Sequence, residues 1–337
     1  MQLLLAVAVN HSPSPDNRYF FANCYLKTTL ASQKNHRYLR EKAGYFFLDD
    51  LCLILAEGSD LFSYLQTQTT NDVKQLKLGQ GQNNAIVDRK AKIISTFSLH
   101  RTGEDSAVIL VETLQKENLL NHLNNFLFRE DVTLSSSDQF LLALQGPRSL
   151  EIIESFTRGH ISIPEKPNDI FEFKYEEKPA LAIAKSLTGE EGCVLAFQAT
   201  SKEIIECKLL EIEQQNLLVQ VDSHAREVFR IESGIPRYGK DINNKNILPE
   251  TGLEHTSVSY NKGCYIGQEV IARIKTYGAP NFSLMGLIVK GTDLPLIDEE
   301  IKLDSKKLGI IKSSIFSYSL QKNIALAYIQ KDHRSPD

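Results

Sequence analysis

The most concentrated set of chemically reactive side chains in the 337-residue sequence lies at residues 262–269. This stretch reads Lys-Gly-Cys-Tyr-Ile-Gly-Gln-Glu, with the thiol of Cys264 between two glycines. Apolar residues recur with helical spacing from Val270, so the thiol is predicted to lie just before a helix N-terminus. The partial positive charge of that helix end and the ammonium of Lys262 favour the nucleophilic thiolate. Cys264 and Lys262 are therefore the candidate catalytic residues, and a buried, unreactive cysteine is the alternative.

The cysteines do not predict a metal site built by this chain alone. All five stand apart, at positions 24, 52, 193, 207 and 264, with no Cys-x-x-Cys pair. No second cysteine or histidine lies at ligand spacing from Cys264. A metal cluster bound there would need ligands from another protein. The lack of a paired cysteine framework favours a reducing compartment.

The composition is that of a globular protein with two or three domains. Hydrophobic residues make up 42% of the chain, charged residues 24%, and the net charge is −4. Such a balance gives no overall basic surface, so tight nucleic-acid binding is not expected. No apolar run is long enough to suggest a membrane span. We expect a cytoplasmic location, or the mitochondrial matrix if the basic residues 1–43 form a transit peptide rather than a simple extension.

Short strands and short helices alternate through most of the chain. Residues 45–48 and 51–55 are predicted strands, residues 84–99 a hairpin that turns at 89–91, and residues 119–127 an amphipathic helix. From residue 282 onward, strand patterns continue without a helix. The predicted fold class is α+β, with two antiparallel-sheet α+β domains of ferredoxin-like type and a small C-terminal β-barrel.

One predicted helix carries a carboxylate in an unfavourable place. Asp222 is its predicted N-cap, and Gly234 with Pro236 ends it. Glu232 therefore falls in the last turn, beside the negative end of the helix dipole. A functional role would explain this position, and a solvated helix end is the alternative.

Residues 262–269 resemble the Lys-Gly-Cys-Tyr-x-Gly-Gln-Glu motif of the YgfZ family. Those proteins are folate-binding relatives of the T-protein, the aminomethyltransferase of the glycine cleavage system. Weaker matches follow in the family's order and extend the resemblance to about residues 44–331. They lie at residues 64–66, 70–73, 144–147, 189–192, 229–236, 308–314 and 324–327.

The resemblance implies three domains arranged as a ring around a central site for tetrahydrofolate or a one-carbon derivative. In that arrangement Glu232 would accept paired hydrogen bonds from the pterin, a geometry that suits a carboxylate. The other candidate folate-binding residues are Arg230, Asn71, Asp72, Tyr265 and Gln268. The predicted regions are an N-terminal extension (1–43), two interleaved folate-binding domains (44–237), a connection bearing Cys264 (238–278) and the barrel (279–331).

One departure separates this chain from the T-protein. Where that family carries two adjacent aspartates, this sequence has Ser95 and Thr96. Neither side chain serves as an acid or base near neutral pH. Aminomethyl transfer in glycine breakdown is therefore not the predicted activity. Ala91 also replaces a motif glycine in the preceding turn.

The resemblance favours a tetrahydrofolate-binding accessory protein for the maturation or repair of iron–sulfur proteins. Its partners would be iron–sulfur client or assembly proteins, and its effect on tRNA modification would be indirect. Two alternatives stay open. The first is a folate-dependent one-carbon transferase of aminomethyl type, and the second is a non-catalytic scaffold with a vestigial folate pocket.

Overall fold

The computed structural model describes residues 4–8, 22–157 and 166–334, with side chains from residue 30 onward. These residues form α-helices and β-strands in alternation. The helices are α1 Ala22–Glu41, α2 Leu61–Gln68, α3 Lys116–Asn125, α4 Ser149–Thr157, α5 Lys202–Gln214, α6 Ser223–Glu232, α7 Glu254–Ser257 and α8 Gln268–Thr276. Among the described residues, no helix is both long and apolar enough to cross a membrane.

The strands build three sheets. In chain order they are β1 Leu4–Ala8, β2 Gly44–Phe47, β3 Leu51–Glu57, β4 Gly81–Val87, β5 Ile93–Arg101, β6 Ser106–Glu112, β7 Thr133–Ser136, β8 Phe140–Gln145, β9 Ile170–Tyr175, β10 Lys178–Ala184, β11 Gly192–Phe197, β12 Val219–Gln220, β13 Phe282–Lys290, β14 Glu300–Leu303, β15 Lys306–Ser317 and β16 Lys322–Gln330.

Two of the sheets form the N-terminal α+β part of the molecule. One has the order β12-β2-β8-β11-β10-β9 and packs against α4 and α5. The other has the order β4-β5-β6-β3-β7 and packs against α2 and α3. A further core joins the facing sides of these sheets with α6, through residues such as Leu53, Leu110 and Phe229. This arrangement leaves α6 beside the space between the sheets.

The C-terminal strands form the third sheet, with the order β1-β13-β16-β15-β14. Strands β13 to β16 pair antiparallel, and β1 adds in parallel to β13. The α+β class with a small C-terminal β domain, predicted from alternation and turn patterns, is thereby confirmed.

The β4–β5 hairpin forms as predicted, and its turn tolerates alanine. Ala91 adopts φ 62°, the left-handed conformation in which a side chain costs about 1–2 kcal/mol. The Asp88 carboxylate stabilises the turn by accepting hydrogen bonds from the backbone N–H groups of Lys90 (2.8 Å) and Lys92 (2.9 Å). Replacement of the glycine therefore leaves the hairpin intact.

Helix α1, inside the predicted N-terminal extension, packs on α6 and is part of the fold. Leu39 is fully buried, and the ring of His36 stacks on Phe229 at 4.3 Å between centroids. Ser32 donates to the Asp222 carboxylate at the start of α6. Arg40, one of the basic residues of this region, donates to Glu232 at 2.8 Å and so contributes to the packing of α1 on α6.

Candidate functional site

The thiol of Cys264 lies just before a helix, as the sequence pattern predicted. Helix α8 begins at Gln268, and the exposed Cys264 lies in the loop just before it. Gly267 precedes the helix with φ 84°, and a Cβ there would approach the carbonyl oxygen of Asp88 to 2.4 Å. Gly263 has open space around it and no positive φ, so only one of the two glycines is required by the backbone. The loop presents the thiol to solvent.

Lys262 supports this loop rather than the thiol. Its ammonium donates to the backbone carbonyls of Gln66 (2.7 Å), Thr69 (2.6 Å) and Asn71 (2.8 Å). Burial lowers the pKa of Lys262 to about 8. All three ammonium protons are engaged by these carbonyls, so none is left to pair with Cys264. The sequence predicted that Lys262 and Cys264 form a reactive pair. In the structure, Lys262 instead joins the cysteine loop to the end of α2 and the residues after it.

Lys262→Met is expected to lower the free energy of unfolding by about 2–3 kcal/mol, because it leaves buried carbonyls without their charged donor. Urea unfolding measures the difference. Lys74→Met is the matched control, since Lys74 lies three residues after Asn71 but is exposed. An equal, small effect of both substitutions would contradict the assigned role of Lys262.

Glu232 occupies a polar cluster between α1, α6 and the C-terminal sheet. One carboxylate oxygen accepts from Ser317 Oγ (2.6 Å) and Ser319 N (3.1 Å), and the other from His36 Nε2 (2.9 Å), Arg40 Nη2 (2.8 Å) and Ser319 Oγ (3.0 Å). Burial alone would raise the pKa of Glu232, but these donors lower it to about 2. The carboxylate of Glu232, which was predicted to bind the pterin, therefore bonds with groups of the protein itself. Glu232 is also not among the residues that line the cavity described below.

The other predicted folate contacts, apart from Arg230, also lie outside the cavity lining. Asn71 donates to the carbonyls of Asn83 and Thr256. Asp72 accepts from Gln66 Nε2 at 3.0 Å. Tyr265 is buried in the apolar core of the cysteine loop, while Gln268 is half-buried at the start of α8.

A cavity of about 290 Å³ lies between the two N-terminal sheets and α6. Strands β4, β5 and β6 supply one wall, the segment after β10 a second, and α6 with the segment after it a third. Leu51, Leu110 and Leu187 give it apolar surface. Its charged side chains are those of Asp50, Glu112, Lys185, Arg226, Glu227, Arg230 and Arg237.

Arg230 anchors the α6 wall. It donates to Glu227 through Nε (3.0 Å) and Nη2 (2.8 Å), and to buried Asp241 through Nη1 (2.6 Å). Burial alone would raise the pKa of Glu227, but Arg230 and Lys240 lower it to about 2. Ser313 of β15 bonds both Arg230 and Asp241, so this network joins the cavity to the C-terminal sheet.

Lys185 is a half-buried cation at the cavity wall, and it has no carboxylate partner among the described residues. Its closest polar contacts are neutral, at 3.2 Å to Asn168 Oδ1, 3.4 Å to Ser98 Oγ and 3.5 Å to Asn83 Oδ1. Burial lowers its pKa to about 8. Behind it, burial and the charge of Lys185 lower the pKa of His100 to about 3, so that ring stays neutral. This cation can donate to an acceptor group of a ligand.

The cavity carboxylates differ in how they are paired. Asp50 binds Arg226 (2.8 Å) and Arg237 (2.6 Å) in ion pairs. Glu112 accepts only the backbone N–H of Tyr238 (3.1 Å) among the described residues. Burial raises the pKa of Glu112 to about 7 against the opposing effects of that N–H and of Arg237. The cavity thus holds one carboxyl that titrates near neutral pH.

Ser95 and Thr96 stand on opposite faces of β5. Thr96 lines the cavity, and its hydroxyl lies 3.2 Å from Gln115 Nε2. Ser95 is buried on the other side, with no hydrogen-bond partner for its hydroxyl. Neither position brings a carboxylate into the cavity, as the sequence predicted.

Comparison with known families fits this architecture. The family model described as the GCVT N-terminal domain matches residues 15–262, and that of the glycine cleavage T-protein C-terminal barrel domain matches residues 283–337. The chain belongs to the GCVT family. Its resemblance to the T-protein, stated from short motifs, is confirmed at this level, and the family supports a folate-related role.

Individual relatives of this GCVT-family chain are aminomethyltransferases by name. That of Halalkalibacterium halodurans is 27% identical over 309 residues, covering 89% of this chain and 82% of the relative. That of Oceanobacillus iheyensis is 28% identical over 306 residues, covering 87% and 81%. The crystal structure of the glycine cleavage system aminomethyltransferase T from Bartonella henselae superposes with a TM-score of 0.79 at 20% identity, covering 89% of this chain and 81% of that one. The last comparison establishes a shared fold.

Sequence reasoning missed most of the charged cavity residues. Lys185 lies four residues before the motif glycine Gly189, and Arg226 lies one helical turn before Arg230. The motifs therefore mark these segments but give no indication that the two side chains line a cavity. Glu112 had no local signal, because a single acidic residue at the end of an apolar strand is common. Among the described residues no group of three or more His, Cys, Asp or Glu side chains is placed to hold a metal ion.

Proposed function

We propose that this protein binds tetrahydrofolate or a one-carbon derivative in the central cavity and acts as a YgfZ-type accessory protein in iron–sulfur protein maturation or repair. Cys264 is its reactive thiol, and its place of action is the cytoplasm. The observation that carries the folate part is the cavity between the domains of a GCVT fold, with Lys185 and Glu112 free to meet a ligand.

The cavity suits the chemistry of a reduced folate. A pterin presents ring N–H donors and a carbonyl acceptor on a flat, partly apolar ring. Lys185 can donate to the carbonyl, and the Oε2 of Glu112 can bond a ring nitrogen as an acceptor when ionised and as a donor when protonated. Leu51 and Leu110 offer apolar contact. When bound, the folate would supply the one-carbon carrier, and the protein residues would orient it and exclude water.

Lys185→Met is expected to weaken tetrahydrofolate binding about tenfold or more, because it removes one charge-assisted hydrogen bond while keeping the apolar stem. It is not expected to lower stability, since the half-buried ammonium has no carboxylate partner among the described residues. Anaerobic calorimetry gives the affinity and urea unfolding the stability. Lys178→Met serves as the control, because Lys178 lies on the same chain segment but contacts Thr200 at the surface. An unchanged affinity in Lys185→Met would remove Lys185 from the proposed site.

The iron–sulfur part of the proposal depends on the cysteine loop. Cys264 is exposed and lies before α8, and it belongs to the full eight-residue motif of the YgfZ family. The cavity also lacks carboxylates at positions 95 and 96, which fits an accessory role better than glycine breakdown. Cells that lack this protein are expected to show lower activity of iron–sulfur enzymes and less thiolated tRNA. Normal values of both in such cells would contradict the assignment.

The second candidate is a folate-dependent one-carbon transferase. It is favoured by the names of the relatives and by the titratable carboxyl of Glu112 in the cavity. In that case the purified protein should turn over a methylene or formyl folate without any iron–sulfur partner. A non-catalytic scaffold protein would instead bind partner proteins and would not bind folate.

A further inference from the structure

Glu112 differs from every other carboxylate of the cavity. Asp50 and Glu227 each form ion pairs with arginine, whereas Glu112 forms none with the described residues. Its Oε1 accepts the N–H of Tyr238, and its Oε2 accepts no hydrogen bond from the described part of the chain. A half-buried carboxyl at a cavity wall with one free oxygen can exchange a proton with a ligand.

Glu112 and Thr96 line the same cavity from neighbouring strands. The pairing of β5 with β6 begins at Phe97 and Val111, and Thr96 and Glu112 are the next residues beyond this pair. Both residues line the cavity. The carboxyl of Glu112 therefore belongs to the cavity wall that also holds the residue 96 side chain.

The charges around Glu112 come from three directions. Asp50 faces it from the turn between β2 and β3, Arg230 from α6, and Arg237 from the segment after α6. The arginines are held by other carboxylates, Arg237 by Asp50 and Arg230 by Glu227 and Asp241. Burial outweighs their attraction, so Glu112 populates both protonation states near neutral pH.

We propose that Glu112 is the proton-exchanging carboxyl of the central cavity: it takes up a proton on Oε2 when a reduced pterin binds, keeps it, and donates this O–H in a hydrogen bond to an acceptor of the ligand ring. This inference rests on the proposed folate site. An O–H bond forms at Oε2 with a proton from solvent, and no oxidant or reductant is needed. Ligand binding removes the remaining water from the carboxyl and so favours its neutral form.

The pH dependence of proton uptake follows from the pKa of Glu112 in the unliganded protein, which burial raises to about 7. Ligand binding raises this pKa further, so uptake is greatest just above pH 7. It vanishes at pH 5, where the carboxyl is protonated in both states, and at high pH, where it is ionised in both. Calorimetric titration with tetrahydrofolate in two buffers of different ionisation enthalpy, at several pH values, measures the protons taken up.

Glu112→Gln keeps the size of the side chain and removes its titration. We expect this variant to bind tetrahydrofolate with no proton uptake near pH 7.5. Glu300→Gln should keep the uptake, because Glu300 lies on β14 outside the cavity lining and its hydrogen bond with Lys307 lowers its pKa. If Glu112→Gln fails to fold, Glu112→Asp decides: a displaced pH profile supports the proposal, and an unchanged profile overturns it. Folate binding without proton uptake in the unmodified protein, or equal uptake in Glu112→Gln, would also overturn it. No binding by the unmodified protein would instead overturn the folate site itself.

Discussion

Cys264→Ser is expected to abolish the support of iron–sulfur enzymes in cells and to leave both folding and tetrahydrofolate affinity unchanged within about twofold. The thiol is exposed before α8 and is not among the cavity-lining residues, so serine removes its nucleophilicity without disturbing the fold or the cavity. Complementation of cells that lack the protein, scored by the activity of iron–sulfur enzymes, gives the functional result. Urea unfolding measures the stability of the variant, and calorimetry measures its affinity for tetrahydrofolate.

Cys207→Ser is the matched control for this prediction. Cys207 is also exposed, but it lies on α5, outside residues 262–269 and outside the cavity lining. Full complementation is expected from this variant. Complementation by Cys264→Ser at the level of the unmodified protein would show that the thiol is dispensable and would reject its proposed role.

Arg230→Met is expected to lower the free energy of unfolding by about 3–5 kcal/mol, the usual cost of leaving one member of a buried ion pair alone. Asp241 is buried completely and would lose the one cation that pairs with it among the described residues, while Glu227 and Ser313 would lose hydrogen bonds. The backbone carbonyl of Ile235 would lose a donor at 2.6 Å. Since these groups join α6 to the C-terminal sheet, urea unfolding should show the loss clearly.

Arg226→Met provides the comparison on the same helix. Arg226 also faces the cavity and pairs with Asp50, but both side chains keep 24% of their exposure, so we expect a cost of about 1 kcal/mol. Adding Asp241→Asn to Arg230→Met should recover part of the loss, because it removes the stranded charge. A cost below 1 kcal/mol for Arg230→Met would mean that the network does not stabilise the domain junction.

The regular elements were predictable because their signals are local. The cap of α6 illustrates this: Asp222 accepts from the backbone N–H of Ala225 at 2.9 Å, and Gly234 adopts φ 67° where the helix ends. The β4–β5 hairpin followed from its alternating pattern. The packing of α1 on α6 was not predictable, because it depends on distant partners such as Asp222 and Glu232.

The site was predictable only where one motif carries all the information. The exposed thiol before α8 needed nothing beyond its own loop. The hydrogen-bond partners of Lys262 and Glu232 could not be predicted from the sequence, because each side chain bonds with groups more than 80 residues away. Glu112 belongs to the site because it is the last residue of β6, where that strand reaches the cavity. Motifs therefore locate the cysteine loop, and tertiary structure decides which charges face the cavity.

An anaerobic calorimetric titration of the full chain with tetrahydrofolate tests whether the cavity between the N-terminal sheets and α6 binds this ligand. Saturable binding at one site per chain is expected, and Lys185→Met should weaken it about tenfold or more. The absence of any saturable heat with the folded, unmodified protein would contradict folate binding in this cavity.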